Sequence, residues 1–576
     1  MAQSDARFGY QAKLGRQDHD LSQPFSFTSA PGMLLPIWYD FASPGDYYQI
    51  KHDLPVLRSI QLLAPMMSRV KVHYETFFVP IQMLYEPAEN ALLSLKNQRS
   101  SLYNIDNFIN NNFPLLFYSE FINSLKSDDQ NLVHRFDAFR LANMLGLSPQ
   151  NFVDDGSSFL AQAYAPSFFP WQLLAYHTIF QYYYRLDDKT QFSNMNCNWD
   201  RFYAARSIIP DVDFMDIHQR PWDFDYFTSM YRSPLVSDVN MQRIMPSGIY
   251  NPLTTSNQSP LTRVETDAAH NDITTSFGNP FGISSNADLN TAAIRQLFAN
   301  EKLAMITGRA RKNYDAQVLA HYGQKVPHDV KHDITMVHHD IYDLNVMEVT
   351  SLASTSDAPL GELAGKSFAG GNRKEFNFTA PCHGVLMTIF SVEPIRSYLT
   401  GFDRINAITN AFDFPVPEYD RLGNVPMYNY EGQVSSELVV TGIAGWKERY
   451  YQFKRKMPKV TFAFFNESGL NNYSAYMVSS APFGKPGGLP ATVPSDSELS
   501  RPDLEDRFYI DRNCLDGQCA LNYLNIWQKR TLETPEHEDW GLTPWLAFAR
   551  DPFIVDSFVK CTKVSWMSKD GEPIYD

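Results

Sequence analysis

The sequence predicts a mainly β protein, because its clearest periodic segment alternates apolar and polar side chains and is bounded by turn residues. One face of residues 70–78 carries Val70, Val72, Tyr74, Thr76 and Phe78, and the other face carries Lys71, His73 and Glu75. This period of two is typical of a half-buried strand. Breaks are supplied by Pro44-Gly45-Asp46 and by Ala64-Pro65. Residues 44–85 are therefore predicted to form two strands joined by a corner.

Further strands are predicted along the chain, with helices inserted between them. Strand patterns return at residues 376–379, 385–392, 460–465 and 553–566. Residues 86–165 contain helical pieces such as HRFDAFRLANMLG. Asn290 is a suitable N-cap for a helix whose apolar face would carry Ile294, Leu297, Phe298 and Met305. We expect a single domain over residues 1–576, with a helical and loop insertion at 86–165.

Residues 233–289 form a long connection with no sustained period. The segment is rich in Ser, Thr, Asn and Pro and is punctuated by Pro246, Gly248, Gly278 and Pro280. Connections of this length are rare inside compact domains and are usually functional or mobile. We therefore expect a surface insertion loop here.

Composition and charge are those of a folded protein that does not condense nucleic acid by itself. The chain has 576 residues, of which 44% are hydrophobic and 14% aromatic, so a substantial core is expected. Its net charge is −15, and its first 20 residues balance Lys and Arg against Asp. Phosphate neutralisation supplies most non-specific affinity for nucleic acid. A genome enclosed by this chain would therefore need a separate basic protein or small cations.

The sequence also indicates where the chain is made. Its first 20 residues contain no apolar run, and no segment approaches 18 consecutive apolar residues, so neither a signal peptide nor a membrane-spanning helix is expected. Five cysteines form no disulfide framework and leave at least one thiol unpaired. This usage suits a reducing cytosol.

Three motifs suggest an enzyme or a metal site, but each fails in its spacing or lacks a residue that the chemistry needs. The segment from Gly361 to Ser367, GELAGKS, has one residue too few between its glycines for a phosphate-binding loop, so a turn between strands is expected. His328, His332, His338 and His339 lack the Glu of a HExxH motif and are interpreted as solvated loop histidines. Cys514 and Cys519 are separated by four residues, whereas zinc and redox pairs have two. No catalytic residues, cofactor or metal ligands are predicted, and the chain is not expected to be an enzyme.

A group of basic and aromatic residues near residue 450 is the best candidate for a nucleic-acid contact. Its members are Lys447, Arg449, Tyr451, Lys454, Arg455 and Lys456, and Tyr450, Phe453 and Lys459 lie among them. Phosphate pairing and base stacking would use such side chains on single-stranded DNA. Alternatively, the aromatic rings face the core and the charges face water or a neighbouring subunit.

Several blocks along the chain resemble one protein family, in the same order. They include HDLSQPFSF at 19–27, the segment 44–85, PWQLLAYHTIFQYYYR at 170–185, WDFDYFTSM at 222–230, residues 361–393, FDFPVPEYDRLG at 412–423 and WKERYYQFKRKMP at 446–458. Together they resemble the major capsid protein of the Microviridae, small single-stranded DNA phages, and in particular the gokushovirus-like branch.

That resemblance implies a fold and an assembly. The fold is a single eight-stranded antiparallel jelly roll of the viral capsid type, with long helical and loop insertions. Copies would form a T=1 icosahedral shell around circular single-stranded DNA, in a virion assembled in the host cytoplasm. The implied partners are a small basic DNA-binding protein, a DNA pilot protein, an internal scaffolding protein and the host cell surface.

The resemblance also implies a role for the insertion at 233–289. In the gokushovirus-like branch a comparable insertion forms a protrusion at the threefold axes. Candidate host-attachment residues are Pro246, Tyr250, Asn257, Phe277 and Phe281. The alternative function is a jelly-roll protein that binds or acts on carbohydrate, which the aromatic content would also suit.

Overall fold

A computed structural model of the protein describes separate stretches of the chain. These are residues 16–59, 67–85, 140–147, 169–186, 217–231, 261–266, 272–277, 302, 306, 319–320, 333–350, 363–395, 397–399, 402–408, 413–417, 420, 424–432, 443–460, 479–480, 510 and 551–567.

Strands dominate these residues. They are β1 (Gln17–Asp20), β2 (Gln23–Ser29), β3 (Leu35–Ala42), β4 (Tyr47–Ser59), β5 (Val70–Pro80), β6 (Leu261–Thr266), β7 (Asp272–Phe277), β8 (Thr335–Thr350), β9 (Leu363–Asn372), β10 (Phe376–Thr379), β11 (Gly384–Pro394), β12 (Ser397–Leu399), β13 (Asn424–Tyr428), β14 (Ile443–Glu448), β15 (Lys459–Val460), β16 (Ser479–Ser480) and β17 (Phe553–Ser565). The helices described over their full length are α1 (Ile81–Leu84), α2 (Trp171–Ile179), which continues as a π-helical turn at Phe180–Tyr184, and α3 (Tyr451–Lys454), with 3-10 turns at Arg404–Ala407 and Asn429–Glu431.

The principal sheet has eight strand positions, in the order β1, β17, β4, β9, β8, β5, β11, β3. Two of these positions are shared. β1 and β2 follow one another along one edge of β17, and β9 and β10 do the same along β4. All pairings in this sheet are antiparallel. The sheet thus agrees with the predicted eight-stranded antiparallel jelly roll.

The sheet curls into two layers because β8 belongs to both. Residues 335–344 of β8 pair with β5, and residues 345–350 pair with β9. Side chains from the two layers meet between them: the Tyr74 hydroxyl donates to Ser557 Oγ at 3.1 Å, and the ring of Phe390 lies edge-on to Phe27 at 5.0 Å. The main hydrophobic core lies in this space.

Burial of the strands differs between the layers. In β17 buried and more exposed residues alternate, as expected for a half-buried strand. By contrast, every residue of β11 is buried, and so is every residue of β5 apart from Lys71. The prediction that β5 is half-buried is therefore wrong, since its second face is covered.

The cover of β5 is made by α2 and the π-helical turn after it. Helix α2 contains no acidic or lysine side chain and is buried from Leu173 to Ile179. Tyr176 donates from its hydroxyl to the Leu34 carbonyl at 2.8 Å, and Tyr183 donates to the Ile334 carbonyl at 2.8 Å. π-helical turns often lie at functional positions, and this one directs Tyr183 and Tyr184 toward Phe77 of β5.

Other predicted elements have mixed outcomes. The strands predicted at 376–379, 385–392 and 553–566 are confirmed. Of the strand predicted at 460–465, only Val460 is described, at the end of β15. Helix 290–305 lies outside the described residues, apart from residue 302. Residues 140–144 are helical, within the predicted insertion at 86–165, and this helix ends at Gly146, whose φ of 73° suits glycine.

The insertion at 233–289 contains a regular hairpin. β6 and β7 pair antiparallel, from Leu261 opposite Phe277 to Thr266 opposite Asp272. The prediction that this segment has no regular structure is therefore wrong for those strands, and the rest of it lies outside the described residues. Among the residues that the structure describes, no helix is long and apolar enough to cross a membrane.

Candidate functional site

The covered face of β5 carries a cluster of charged side chains. His73 and Glu75 point from β5 into this space, and Glu393 and Ser391 point into it from β11. All four are buried beneath α2 and residues 217–231. Burying two carboxylates is costly unless each is paired and hydrogen-bonded.

Arg220 supplies that pairing. Its Nη1 donates to Glu75 Oε2 at 2.8 Å and to Ser391 Oγ at 3.0 Å, and its Nη2 donates to Glu75 Oε1 at 3.3 Å. The Nε of Arg220 lies 3.4 Å from Glu393 Oε2. The hydroxyl of Tyr184 also donates to Glu75 Oε2. One guanidinium therefore faces two carboxylates, and the π-helical turn after α2 adds a hydrogen bond to one of them.

These contacts keep both carboxylates ionised. Burial acts to raise the pKa of Glu75, but the charge of Arg220 and the hydrogen bonds from Arg220 and Tyr184 lower it below its ordinary value. Burial likewise acts to raise the pKa of Glu393, and contacts with His73 and Arg220 lower it overall. The carboxylates in turn raise the pKa of Arg220 against the opposing effect of burial.

Two histidines complete the cluster. His73 Nδ1 lies 2.8 Å from His339 Nε2, and the two rings stack with centroids 5.1 Å apart. His339 Nε2 is also 3.4 Å from Glu75 Oε1. His73 Nε2 lies 2.9 Å from Glu393 Oε2, at an angle that is poor for a hydrogen bond. Burial lowers the pKa of His339. Ligand atoms of His73, Glu75 and His339 all lie within 4.8 Å of one another, so this group could hold a metal ion.

Another histidine pair lies on the opposite face of β8, between His338 of β8 and His52 of β4. His52 Nδ1 is 2.9 Å from Asp340 Oδ2, and His338 Nε2 is 3.1 Å from Asp340 Oδ1. His338 also stacks on Phe376. The interpretation of His338 and His339 as solvated loop histidines is therefore wrong: both lie on β8 and both have partners. His328 and His332 lie outside the described residues. No local pattern in the sequence indicated these contacts. His73 is more than 260 residues from its partner His339, and His52 is more than 260 residues from its partner Asp340.

The basic and aromatic group near residue 450 is partly buried. Lys447 is 0% exposed, donates from Nζ to the Tyr226 carbonyl, and lies 5.1 Å from the centre of the Tyr451 ring. Tyr451 is buried too, and its hydroxyl donates to Glu431 Oε1 at 2.6 Å. Arg404 donates to the same oxygen at 3.0 Å. The predicted DNA contacts of Lys447 and Tyr451 are therefore wrong, because both side chains are enclosed by their own subunit.

The other members of this group remain accessible. Lys454, Arg455 and Lys456 are exposed, and Lys454 pairs with Asp420. Arg449 is half-buried, with its guanidinium 5.9 Å from the centre of the Tyr450 ring. Tyr450 and Tyr451 face inward and residues 454–456 face outward, as in the alternative to DNA contact, whereas Phe453 is exposed and Lys447 is buried. A DNA contact at residues 454–456 stays a prediction.

Comparison with known proteins gives the family. The family described as "Capsid protein (F protein)" matches residues 157–493, which is more than half of the chain. The chain belongs to this capsid protein family. It is also 24% identical to "Capsid protein VP1" of Chlamydia phage 1 over 182 residues, which is 29% of this chain and 30% of the relative. The match thus spans about a third of that relative's length.

These matches confirm the resemblance to microvirus capsid proteins. The family match includes α2, Arg220, β8 and β11, and so contains most of the cluster around Glu75. Membership of a capsid protein family indicates a structural role and a location in the virion.

Other predicted sites of the capsid chain have simple outcomes. Residues 363–367 lie in β9, so this part of the GELAGKS segment is a strand and neither a phosphate-binding loop nor a turn. Cys382 and Cys561 form no disulfide among the described residues, and Cys197, Cys514 and Cys519 lie outside those residues. Of the candidate attachment residues, Phe277 ends β7. Pro246, Tyr250, Asn257 and Phe281 lie outside the described residues.

Burial of Lys447 predicts an unusual dependence of stability on pH. Burial lowers the pKa of Lys447 from 10.5 to about 8. Between pH 8 and 10.5 the unfolded chain therefore holds a proton that the folded chain has lost, so stability rises with pH. In Lys447→Met this contribution disappears, and the difference between wild type and variant changes by up to about 3 kcal/mol across that range.

The measurement is chemical unfolding at intervals from pH 7 to 10.5. Lys454→Met is the matched control, because Lys454 is exposed, and it should keep the wild-type slope. Equal slopes for wild type and Lys447→Met would show that Lys447 stays protonated in the folded chain.

Proposed function

We propose that this chain is the major capsid protein of a small T=1 icosahedral virion that encloses circular single-stranded DNA. The observation that carries the proposal is the capsid family match over residues 157–493, on a chain whose sheet is an eight-position antiparallel jelly roll. Closed symmetry allows many individually weak contacts between copies to add up to a stable shell.

The described surface offers features suited to such contacts. Large apolar side chains are exposed at Phe41 on the outermost strand β3 and at Ile554 on β17, and Phe224 is 63% exposed in the segment beside Arg220. Exposed apolar groups and open sheet edges commonly lie in interfaces. We propose that copies of this chain cover them in the shell.

Enclosure of DNA would then need help from other proteins. The net charge of −15 opposes binding to phosphate, while Lys454, Arg455 and Lys456 form an exposed basic group. We propose that these residues contact the genome and that a small basic DNA-binding protein neutralises most of its charge. An internal scaffolding protein and a DNA pilot protein complete the proposed partners. Before assembly the subunits would be located in the host cytoplasm.

Host attachment is assigned to the insertion at 233–289. Its hairpin of β6 and β7 provides a regular element within a segment that is rich in turn residues. Three such hairpins around a threefold axis would form a protrusion, with Phe277 at the end of β7.

Assembly is tested by producing the chain together with its scaffolding partner and examining the product by electron microscopy. Closed shells of uniform diameter are expected, because identical contacts with closed symmetry fix the size of the particle. Monomers that also hydrolyse carbohydrate would contradict the capsid assignment and favour the enzyme alternative.

The proposed DNA contact is tested by changing Lys454, Arg455 and Lys456 together to Gln. Particles should retain DNA less well, and the dependence of retention on salt should flatten, because fewer counterions are released on binding. We expect a partial loss, since a basic partner carries most of the neutralisation. The control changes Arg58, Lys374 and Lys560 to Gln, which removes the same charge from other exposed positions. Equal effects in both variants would mean that only net charge matters.

The attachment role is tested by replacing residues 233–289 with a short Gly/Ser linker. Shells should still assemble and package DNA, because the principal sheet contains no strand from this segment, while adsorption to host cells should fall sharply. Normal adsorption would refute the role, and failure to assemble would show that the segment is a contact between subunits.

A further inference from the structure

We infer that His73, Glu75 and His339 form a binding site for a divalent transition-metal ion, and that zinc is the ion that fits their donor atoms. The inference concerns the individual subunit and does not depend on the proposed DNA contact or attachment role. It is carried by the geometry of the donors, by the charge of the cluster and by the groups that hold the donors in place.

The donor atoms have the separations of a partly assembled tetrahedral site. Glu75 Oε1 and His339 Nε2 are 3.4 Å apart, and His73 Nδ1 and His339 Nε2 are 2.8 Å apart. Two ligands of a tetrahedral zinc ion, each about 2.05 Å from the metal, are about 3.3 Å apart. One of the three pairs already has this spacing. The pair of His73 and His339 reaches it by a small movement of His339, whose side chain is 31% exposed. The third pair, His73 and Glu75, lies within 4.8 Å.

Charge within the cluster favours an additional cation. Glu75 and Glu393 contribute two negative charges, and Arg220 contributes one positive charge, so one negative charge is left if both imidazoles are neutral. The 2.8 Å contact between His73 Nδ1 and His339 Nε2 is a hydrogen bond, in which one neutral ring carries the proton and the other accepts it. A divalent ion would displace this proton and replace the hydrogen bond by a bond to each of the two nitrogen atoms.

Neighbouring groups orient the donors as they do in known zinc sites. Arg220 and Tyr184 both donate to Glu75 Oε2, so Oε1 receives only the longer bond from Arg220 and can face a metal. Glu393 Oε2 lies 2.9 Å from the other ring nitrogen of His73, where a small rotation of the ring would turn the contact into a hydrogen bond. A carboxylate hydrogen-bonded to the second nitrogen of a ligating histidine fixes its orientation and increases its basicity.

The choice of ion follows from the donors. Two imidazoles and one carboxylate suit zinc and related transition metals, whereas magnesium and calcium prefer oxygen donors throughout. Three protein ligands leave a fourth position for water, on the side where His339 reaches solvent. Bound metal would join β5 to β8 beneath their cover, and so stabilise the subunit by binding only its folded form.

The experiment is a titration of chelator-treated full-length protein with Zn²⁺ and with Co²⁺. One equivalent of Zn²⁺ should bind and raise the melting temperature. Co²⁺ should give the visible spectrum of a tetrahedral nitrogen and oxygen site. His339→Ala should weaken binding by more than about 100-fold. His338→Ala is the matched control, because His338 is 32% exposed on the adjacent position of the same strand and faces the other way, and it should bind normally.

Three results would overturn the inference. The first is the absence of saturable binding to the wild-type protein. The second is equal binding by His339→Ala and His338→Ala. The third is a sulfur-to-cobalt absorption band in the wild-type protein. Such a band would place the metal on cysteines instead.

Discussion

The ion pair between Arg220 and Glu75 is the interaction on which the covering of the sheet depends. β5 and β11 form the middle of one layer and are buried on both faces, although the second face carries two carboxylates. Without Arg220 these charges would require water, and α2 could not pack over them. Arg220 belongs to the segment 217–231, which covers β5 together with α2. The residues that exclude water from the two carboxylates therefore also supply the positive charge that pairs with them.

Another buried carboxylate, Glu431, is paired in a similar way outside the principal sheet. Glu431 accepts hydrogen bonds from Arg404 and from the hydroxyls of Tyr226 and Tyr451, so three separate segments meet at one buried carboxylate. Lys447 lies above two of these rings. Insertions of this capsid chain are thus anchored to one another by buried polar groups as well as by apolar contacts. Such groups specify one arrangement, since each must find its partner.

Local patterns in the sequence were sufficient to predict the positions of strands, but they did not predict which side chains the sites bring together. Alternation predicted the position of β5, and residues 376–379 form a strand with the predicted bounds. The same alternation misplaced His73 and Glu75 at the surface, because the residues that cover them are more than 100 positions away. Likewise the interleaving of Lys447 and Tyr451 gave no indication that both are buried, with Tyr226 and Glu431 as their partners.

A double-mutant cycle between Glu75→Gln and Arg220→Met tests most directly whether this ion pair holds the cover on the sheet. Unfolding at pH 7 should show that Arg220→Met alone costs about 3–5 kcal/mol, because it leaves buried carboxylates unpaired. Adding Glu75→Gln should recover part of that loss, giving a coupling energy above about 1 kcal/mol. Strictly additive effects, or a small cost for Arg220→Met, would contradict the account and mean that apolar packing alone holds α2 in place.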